Sequence, residues 1–237
     1  MSEKKKIVWI TGASSGIGKA VAIAFANCGI HVVGTARRID LLKNLKSELG
    51  KNSNHFDPYQ LDISEFTSVD NFYAKISENF CVDCLINNAG ITSFKPAAEN
   101  TFEEIQKIIE VNLLGPIYAI KKVLPEMTEN QSGTIINILS AVTQKVFTQS
   151  SAYSASKNGL HAYSKVLREE LRDKNIRVIN VSPGATATEI WSTKVLSKYS
   201  NKMMKPENIA RTIFQIYSEK SNSVSEEIVM RPLTGDL

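Results

Sequence analysis

The chain has 237 residues, of which 43% are hydrophobic and 22% charged, a length and composition suited to one α/β domain with a large buried core. Its net charge is only +4 and its lysines and arginines are scattered, so nothing calls for a nucleic-acid partner. No run of ~20 apolar residues is present to cross a membrane, the start lacks a continuous apolar leader, and the expected compartment is the cytoplasm.

In chain order, Lys6-Ile7-Val8-Trp9-Ile10 is a short apolar run with β-branched residues and predicts a first strand over 6–11. Thr11-Gly12-Ala13-Ser14-Ser15-Gly16-Ile17-Gly18 follows and leads into a helical stretch over 17–27. Strand, glycine-rich turn and helix in that order suit a pyrophosphate. Gly12, Gly16 and Gly18 let the backbone turn and approach closely, and the helix start offers free N–H groups to the phosphates. The spacing is G-x-x-x-G-x-G rather than the commoner G-x-G-x-x-G. A second strand is expected over 31–35 and ends in Ala36-Arg37-Arg38, before a helix at 39–49. Further strands are expected at 57–61, 84–87, 134–139, 176–182 and 227–230, and further helices at 65–79, 101–127, 152–173 and 206–218. No repeat or linker divides the chain, so residues 1–237 are taken as one domain. The alternation predicts an α/β fold, a parallel sheet with helices on both faces. Right-handed crossovers then gather Gly12, Arg37, Asp62, Asn88, Ser140 and Pro183 near the carboxyl ends of the strands, where ligands bind.

Cys28, Cys81 and Cys84 are an odd number of cysteines and do not suggest a disulfide scaffold. Cys81-Val82-Asp83-Cys84 enters an apolar strand rather than a helix N-terminus, and no second pair completes a zinc site. The pair reads as small buried hydrophobes, and no metal site is expected.

Tyr153 and Lys157, in Ser151-Ala152-Tyr153-Ser154-Ala155-Ser156-Lys157, stand four residues apart, which on a helix places both side chains on one face. A nearby ammonium lowers the pKa of a phenol from its usual value of about 10, which makes the pair a candidate general acid/base.

These pieces, with Asn87-Asn88-Ala89-Gly90, Val111-Asn112, Ser140 and Pro183-Gly184-Ala185-Thr186-Ala187-Thr188, resemble the short-chain dehydrogenase/reductase family over nearly the whole chain. The resemblance implies a Rossmann-type, doubly wound, seven-stranded sheet ordered 3-2-1-4-5-6-7, and hydride transfer between a nicotinamide cofactor and a small-molecule carbonyl or alcohol. It implies that Tyr153 gives or takes the proton, that Lys157 lowers the Tyr153 pKa and holds the nicotinamide ribose, and that Ser140 bonds the substrate oxygen. Asn112, within the long helix, would order a water that connects Lys157 to solvent. Around the cofactor it implies the turn Gly12, Ser14, Ser15, Gly16, Ile17 and Gly18, then Asn88, Ala89 and Gly90 beside the ribose. Asp62 would accept from the adenine amino group and Ile63 would pack there, although an Asp ahead of a helix is also a capping candidate. Pro183 and Gly184 would cover the nicotinamide, with Thr186 in the same segment and Thr188 on the carboxamide or a phosphate.

Charge bears on the cofactor. An NAD site calls for an acid at the end of the second strand, and Ala36 stands there. Arg37 instead offers a planar guanidinium to a 2′-phosphate and Arg38 a second charge, completed by the Ser14 or Ser15 hydroxyl, so NADP(H) is expected unless both arginines are simply solvated. A carbonyl reductase follows as the expected activity; an NAD-linked alcohol dehydrogenase or a catalytically silent nucleotide-binding protein are the alternatives. Residues 189–205 are expected to form a substrate lid in which Trp191, Leu196, Tyr199 and Met203 close over an apolar compound or pack a short helix. Ser93, Phe94, Lys95 and the segment 142–147 would add walls. The family expectation for assembly is a homodimer or homotetramer through helices 101–127 and 152–173, and the tail after the last strand either packs on another subunit or frays.

Overall fold

Alternate residues of the first strand, β1 (Lys5–Thr11), face two different cores, as expected of a strand covered on both sides. Val8 and Ile10 pack with Val21 and Phe25 of α1 (Gly16–Asn27) and with Ile209 and Ile213 of α8 (Pro206–Ser218). Ile7 and Trp9 pack with Phe72 of α3 (Phe66–Ser77), Val123 of α5 (Gly115–Glu129) and Leu167 of α6 (Ser151–Leu171). The computed structural model describes residues 4–219 and 222–235, so Asp236 and Leu237 of the tail lie outside the described residues.

The other strands are β2 (Val32–Ala36), β3 (Phe56–Gln60), β4 (Phe80–Asn87), β5 (Gly133–Ile138), β6 (Ile176–Pro183) and β7 (Glu227–Met230). All pairings are parallel, in the order β3-β2-β1-β4-β5-β6-β7. The fold is therefore the expected doubly wound Rossmann-type sheet. The winding reverses between β1 and β4, and a crevice opens there at the carboxyl ends of the strands.

Two predicted elements differ from the structure. Strand β4 begins four residues before the predicted 84, because the polar Asp83 interrupts the apolar run yet is held by Lys6 at 3.0 Å and by the Tyr217 hydroxyl at 3.0 Å. The helix predicted over 101–127 is two helices, α4 (Phe102–Ile109) and α5, joined by a π-helical turn over Glu110–Leu114. A capping box between Thr101 and Glu104 starts α4. The remaining helices are α2 (Ile39–Glu48) and α7 (Thr193–Tyr199). Of the cysteines, Cys84 is buried, Cys81 half-buried and Cys28 exposed, and all three are free thiols; burial pushes the Cys81 and Cys84 thiols up, away from the reactive range.

A buried amide ladder crosses the sheet. Asn87, Asn137 and Asn180 stand in register on β4, β5 and β6, with Asn87 donating to Asn137 at 2.9 Å and Asn137 to Asn180 at 3.3 Å. Asn180 donates to Glu227 of β7 at 2.8 Å, and the buried Arg168 of α6 binds the same carboxylate oxygen at 2.8 Å. The four-residue β7, half exposed, is thus tied to the sheet by charge as well as by its backbone.

At the opposite side of the sheet, His31 accepts at Nδ1 from Lys5 (2.9 Å), which leaves the proton on Nε2 to donate to Asp57 (2.8 Å). Burial holds the His31 pKa below its ordinary 6.5, and the Asp57 bond only partly offsets this. The folded chain therefore binds fewer protons than the unfolded chain as pH falls through about 6.5, and stability drops with it. Thermal unfolding is expected at a lower Tm at pH 5.5 than at 7.5, with a smaller difference in His31→Gln; an equal difference in the variant would refute the assignment.

Candidate active site

The crevice holds one chamber of about 600 Å³. Of the residues expected to hold the cofactor or act on the substrate oxygen, all but Gly18 and Asn112 line it, and those two stand directly behind it; of the expected walls, Phe94, Val142 and Phe147 line it while Ser93 and Lys95 do not. At one end is the glycine turn. Gly16 has φ +54, and a Cβ there would press on Thr188 at 3.0 Å. A Cβ on Gly18 would overlap the Gly12 carbonyl and the Asn88 side-chain nitrogen, so this helix start can meet the turn only through glycine. Asn88 spends its side-chain N–H groups on the Thr11 and Gly12 carbonyls (2.9 and 3.0 Å), while the Thr11 hydroxyl accepts from the Asn88 and Ala89 amides (3.0 and 3.1 Å). The turn is locked to the end of β4 before any ligand arrives. Thr11 opens the glycine-turn motif in the sequence, but its part as the hub of this lock depends on Asn88 and Ala89, which are far away in the chain.

Beside the turn, Arg38 donates to the Ser14 and Ser15 hydroxyls at 3.3 and 3.0 Å. The three groups form one polar pocket, whereas Arg37 keeps its carbonyl on Gln60 (3.2 Å) and its charge toward Asp62. The guanidinium that the serines accompany is thus Arg38 rather than Arg37. Asp62 accepts from the Ser64 amide and hydroxyl at 3.0 and 2.6 Å. Burial alone would raise its carboxyl, but these bonds and the charges of Lys107 and Arg37 hold it below the ordinary range. It shapes a local turn while facing the chamber.

At the other end lie Tyr153, Lys157 and Ser140. Tyr153 and Lys157 share a face of α6, with the Lys157 nitrogen 6.0 Å from the Tyr153 ring centre. The ammonium does not turn to the phenol; it donates to the Ile138 carbonyl at the end of β5 (2.8 Å). Lys157 is 4% exposed, and burial lowers its pKa to about 8. Burial also pushes the Tyr153 phenol above its ordinary 10.0, and a hydrogen bond with Ser140 offsets part of this. Burial outweighs that offset, and the Lys157 charge is not among the influences on the phenol. The sequence spacing could place the two on one face but could not reveal the competing carbonyl.

Asn112 stands on the π-helical turn, fully buried. Its amide clamps the Ile91 backbone, accepting from its N–H (2.9 Å) and donating to its carbonyl (2.8 Å), and donates to Ser156 at 3.0 Å. It fixes the chain segment behind Gly90, where a Cβ would lie 3.4 Å from its oxygen and 3.6 Å from the Lys157 nitrogen. Of the four residues offered as a lid, Trp191 alone lines the chamber, while Met203 is buried in the fold. Across from Trp191, Phe94 stacks on it with ring centres 4.9 Å apart and planes at 6°.

The model of the short chain dehydrogenase family matches residues 6–198. The chain belongs to that family. It is 34% identical to a sepiapterin reductase of Chlorobaculum tepidum, the match covering 98% of each chain. Among solved structures this short-chain dehydrogenase is similar to the closed form of a serine dehydrogenase complexed with NADP+, at 29% identity, TM-score 0.90, and coverage of 98% of this chain and 96% of the other. It is similar also to an alcohol dehydrogenase from Thermococcus sibiricus complexed with 5-hydroxy-NADP, at 29% identity, TM-score 0.86, and coverage of 98% and 97%.

A dinucleotide fits the site of this short-chain dehydrogenase on two counts. The glycine turn leaves the space that side chains would fill, and the Arg38, Ser14 and Ser15 pocket offers charge and donors at one rim. Among the described residues no group of three or more His, Cys, Asp or Glu is placed to hold a metal ion, and no helix is long and apolar enough to cross a membrane.

Proposed function

We propose that this short-chain dehydrogenase is an NADP(H)-dependent carbonyl reductase with Tyr153 as its proton donor. The observation that carries the reading is the convergence of the Tyr153 phenol, its partner Ser140 and the Lys157 side chain on the chamber that begins at the glycine turn. A bound nicotinamide supplies the hydride; the chain supplies the proton and the binding. Tyr153 and Ser140 together present two hydroxyls to a substrate oxygen and stabilise the charge that develops on it. Lys157, fixed by the Ile138 carbonyl, holds a positive charge behind the phenol and reaches toward the ribose site beside Gly90. Gly12, Gly16, Ile17 and the start of α1 cradle the pyrophosphate, Asn88 to Gly90 flank the ribose, Asp62 and Ile63 bound the adenine end, and Pro183, Gly184, Thr186 and Thr188 cover the nicotinamide. The relatives that carry NADP or its derivative support the cofactor choice. The three free thiols suit a reducing compartment such as the cytoplasm. Exposed Phe102 of α4, Leu114 of the π-helical turn and Val166 of α6 suit burial against a second copy in a homo-oligomer, which light scattering of the purified protein tests.

The test is a titration of NADPH and NADH, followed by cofactor fluorescence, in wild type, Arg38→Leu and Arg37→Asp. A charge-assisted bond to phosphate is worth about 1.5–3 kcal/mol, so Arg38→Leu is expected to weaken NADPH roughly ten- to a hundredfold while leaving NADH nearly unchanged. Arg37→Asp is expected to cost less, because Arg38 and not Arg37 joins the serine pocket. Preference for NADH in wild type would favour the alcohol dehydrogenase reading, and binding of neither would favour a silent protein.

A further inference from the structure

The substrate end of the chamber differs in character from the phosphate end. The segments that follow β4, β5 and β6 bring Phe94, Val142, Phe147, Ile190 and Trp191 to the chamber wall, with Thr92, Ser150 and Glu189 among them. Among the described residues Lys157 is the one cation lining this end, and it is buried and already directed at the Ile138 carbonyl, while Lys145 stands over the Phe147 ring, 5.7 Å from its centre. Lys95, the nearest basic residue to Phe94 in the chain, is occupied by Glu104 at 2.5 Å. A carboxylate or phosphate on the substrate would therefore meet apolar rings and the Glu189 side chain, with no further lining cation among the described residues to pair it, which is costly.

The Phe94–Trp191 stack closes across this end, joining the arm after β4 to the arm after β6. Trp191 is held in place by its indole N–H, which donates to the Thr186 carbonyl at 3.0 Å. Phe94 has no such tether and remains 46% exposed. A fixed ring facing a freer ring is a clamp for a flat guest, since aromatic rings favour offset stacking at centre distances of about 4.5–7 Å.

Resting on the carbonyl reductase reading, we propose that Phe94 and Trp191 make this site selective for neutral, flat aromatic ketones and aldehydes, with Trp191 the fixed platform and Phe94 the movable cover. The ring of the substrate lies against Trp191 and its carbonyl reaches Tyr153 and Ser140. Carboxylated substrates, free amino acids among them, are disfavoured for want of a cation.

Three probes separate the claims: acetophenone, cyclohexyl methyl ketone, which has the same skeleton without the aromatic ring, and 4-acetylbenzoate, which adds a charge. KM is read from NADPH oxidation, and binding from quenching of tryptophan emission in the NADP+ complex, which needs no turnover. Trp191 is one of only two tryptophans, and the other, Trp9, is fully buried. Wild type is expected to favour acetophenone over both other probes in KM and in quenching. Trp191→Leu and Phe94→Leu keep apolar bulk and are expected to raise the acetophenone KM by about tenfold, the upper range for an aromatic pair. Both variants are expected to change the cyclohexyl ketone by less than threefold and to leave NADPH affinity unchanged. Equal KM changes for both neutral ketones, or tighter binding of 4-acetylbenzoate, would overturn the clamp while leaving the reductase reading standing. If none of the three is reduced although NADPH binds, the reductase reading fails; selective quenching by acetophenone that weakens in Phe94→Leu would then still support the clamp as a binding site, and its absence would reject both.

Discussion

Tyr153→Phe is expected to lower kcat for carbonyl reduction by roughly 10²- to 10⁴-fold, the usual worth of a positioned proton donor, with NADPH affinity within a few fold of wild type. The substitution removes one oxygen and leaves the ring that packs beside Lys157. It also leaves Ser140 without its phenol partner, so the substrate oxygen keeps one hydroxyl contact and loses the one that delivers the proton. Single-turnover absorbance of NADPH separates this from a binding defect. A companion expectation concerns pH. Lys157 loses its proton as pH rises through about 8, and the positive charge behind the phenol goes with it. In wild type kcat/KM, which reports groups of the free enzyme, is expected to fall above that pH. A Tyr153→Phe enzyme that retained wild-type kcat would remove Tyr153 from the chemistry altogether.

The second large effect is expected of Gly18→Ala. The added methyl would overlap the Gly12 carbonyl and the Asn88 amide nitrogen, neither of which has room to yield without breaking the bonds that hold the turn to β4. Overpacking of this kind costs about 1–3 kcal/mol, and at about 2–4 °C per kcal/mol for a chain of this size differential scanning calorimetry reads it directly. The turn that must shift is also the phosphate cradle, so NADPH binding is expected to weaken by more than tenfold at temperatures where the variant is still folded. A folded variant with unaltered affinity would show that the cradle tolerates a wider turn.

Much of this architecture is legible in the chain because it repeats simple signals. Runs such as Ile7 to Ile10 and Ile135 to Ile138 are buried on both faces and announce parallel strands without help from partners. The glycine turn and the Tyr153–Lys157 spacing are local, and local spacing survives folding. What escaped the sequence is relational. Nothing in Asn87, Asn137 or Asn180 separately marks a ladder; they meet only when three strands come into register. Lys157 finds the Ile138 carbonyl nineteen residues away in sequence, and Arg38 rather than Arg37 finds the serines, because backbone direction at the end of β2 decides which of two adjacent arginines turns inward. The first half of β4 is hidden in the sequence by Asp83, whose partners Lys6 and Tyr217 come from opposite ends of the chain.

The π-helical turn at Glu110–Leu114 amounts to one residue more than a regular helix would need between α4 and α5. An α-helix turns 100° per residue, so that surplus residue sets the angular offset between the face α4 shows to α6 and the face α5 shows to the sheet. Shortening the segment by one position would restore unbroken helical pairing and swing one of those faces by more than a quarter turn. The amide of Asn112 would then leave Ile91, and the loop carrying Phe94 would lose its anchor. The helix is irregular at the place where regularity would dismantle the pocket, and a tally of insertions and deletions among functional variants of this chain is expected to leave that segment's length untouched.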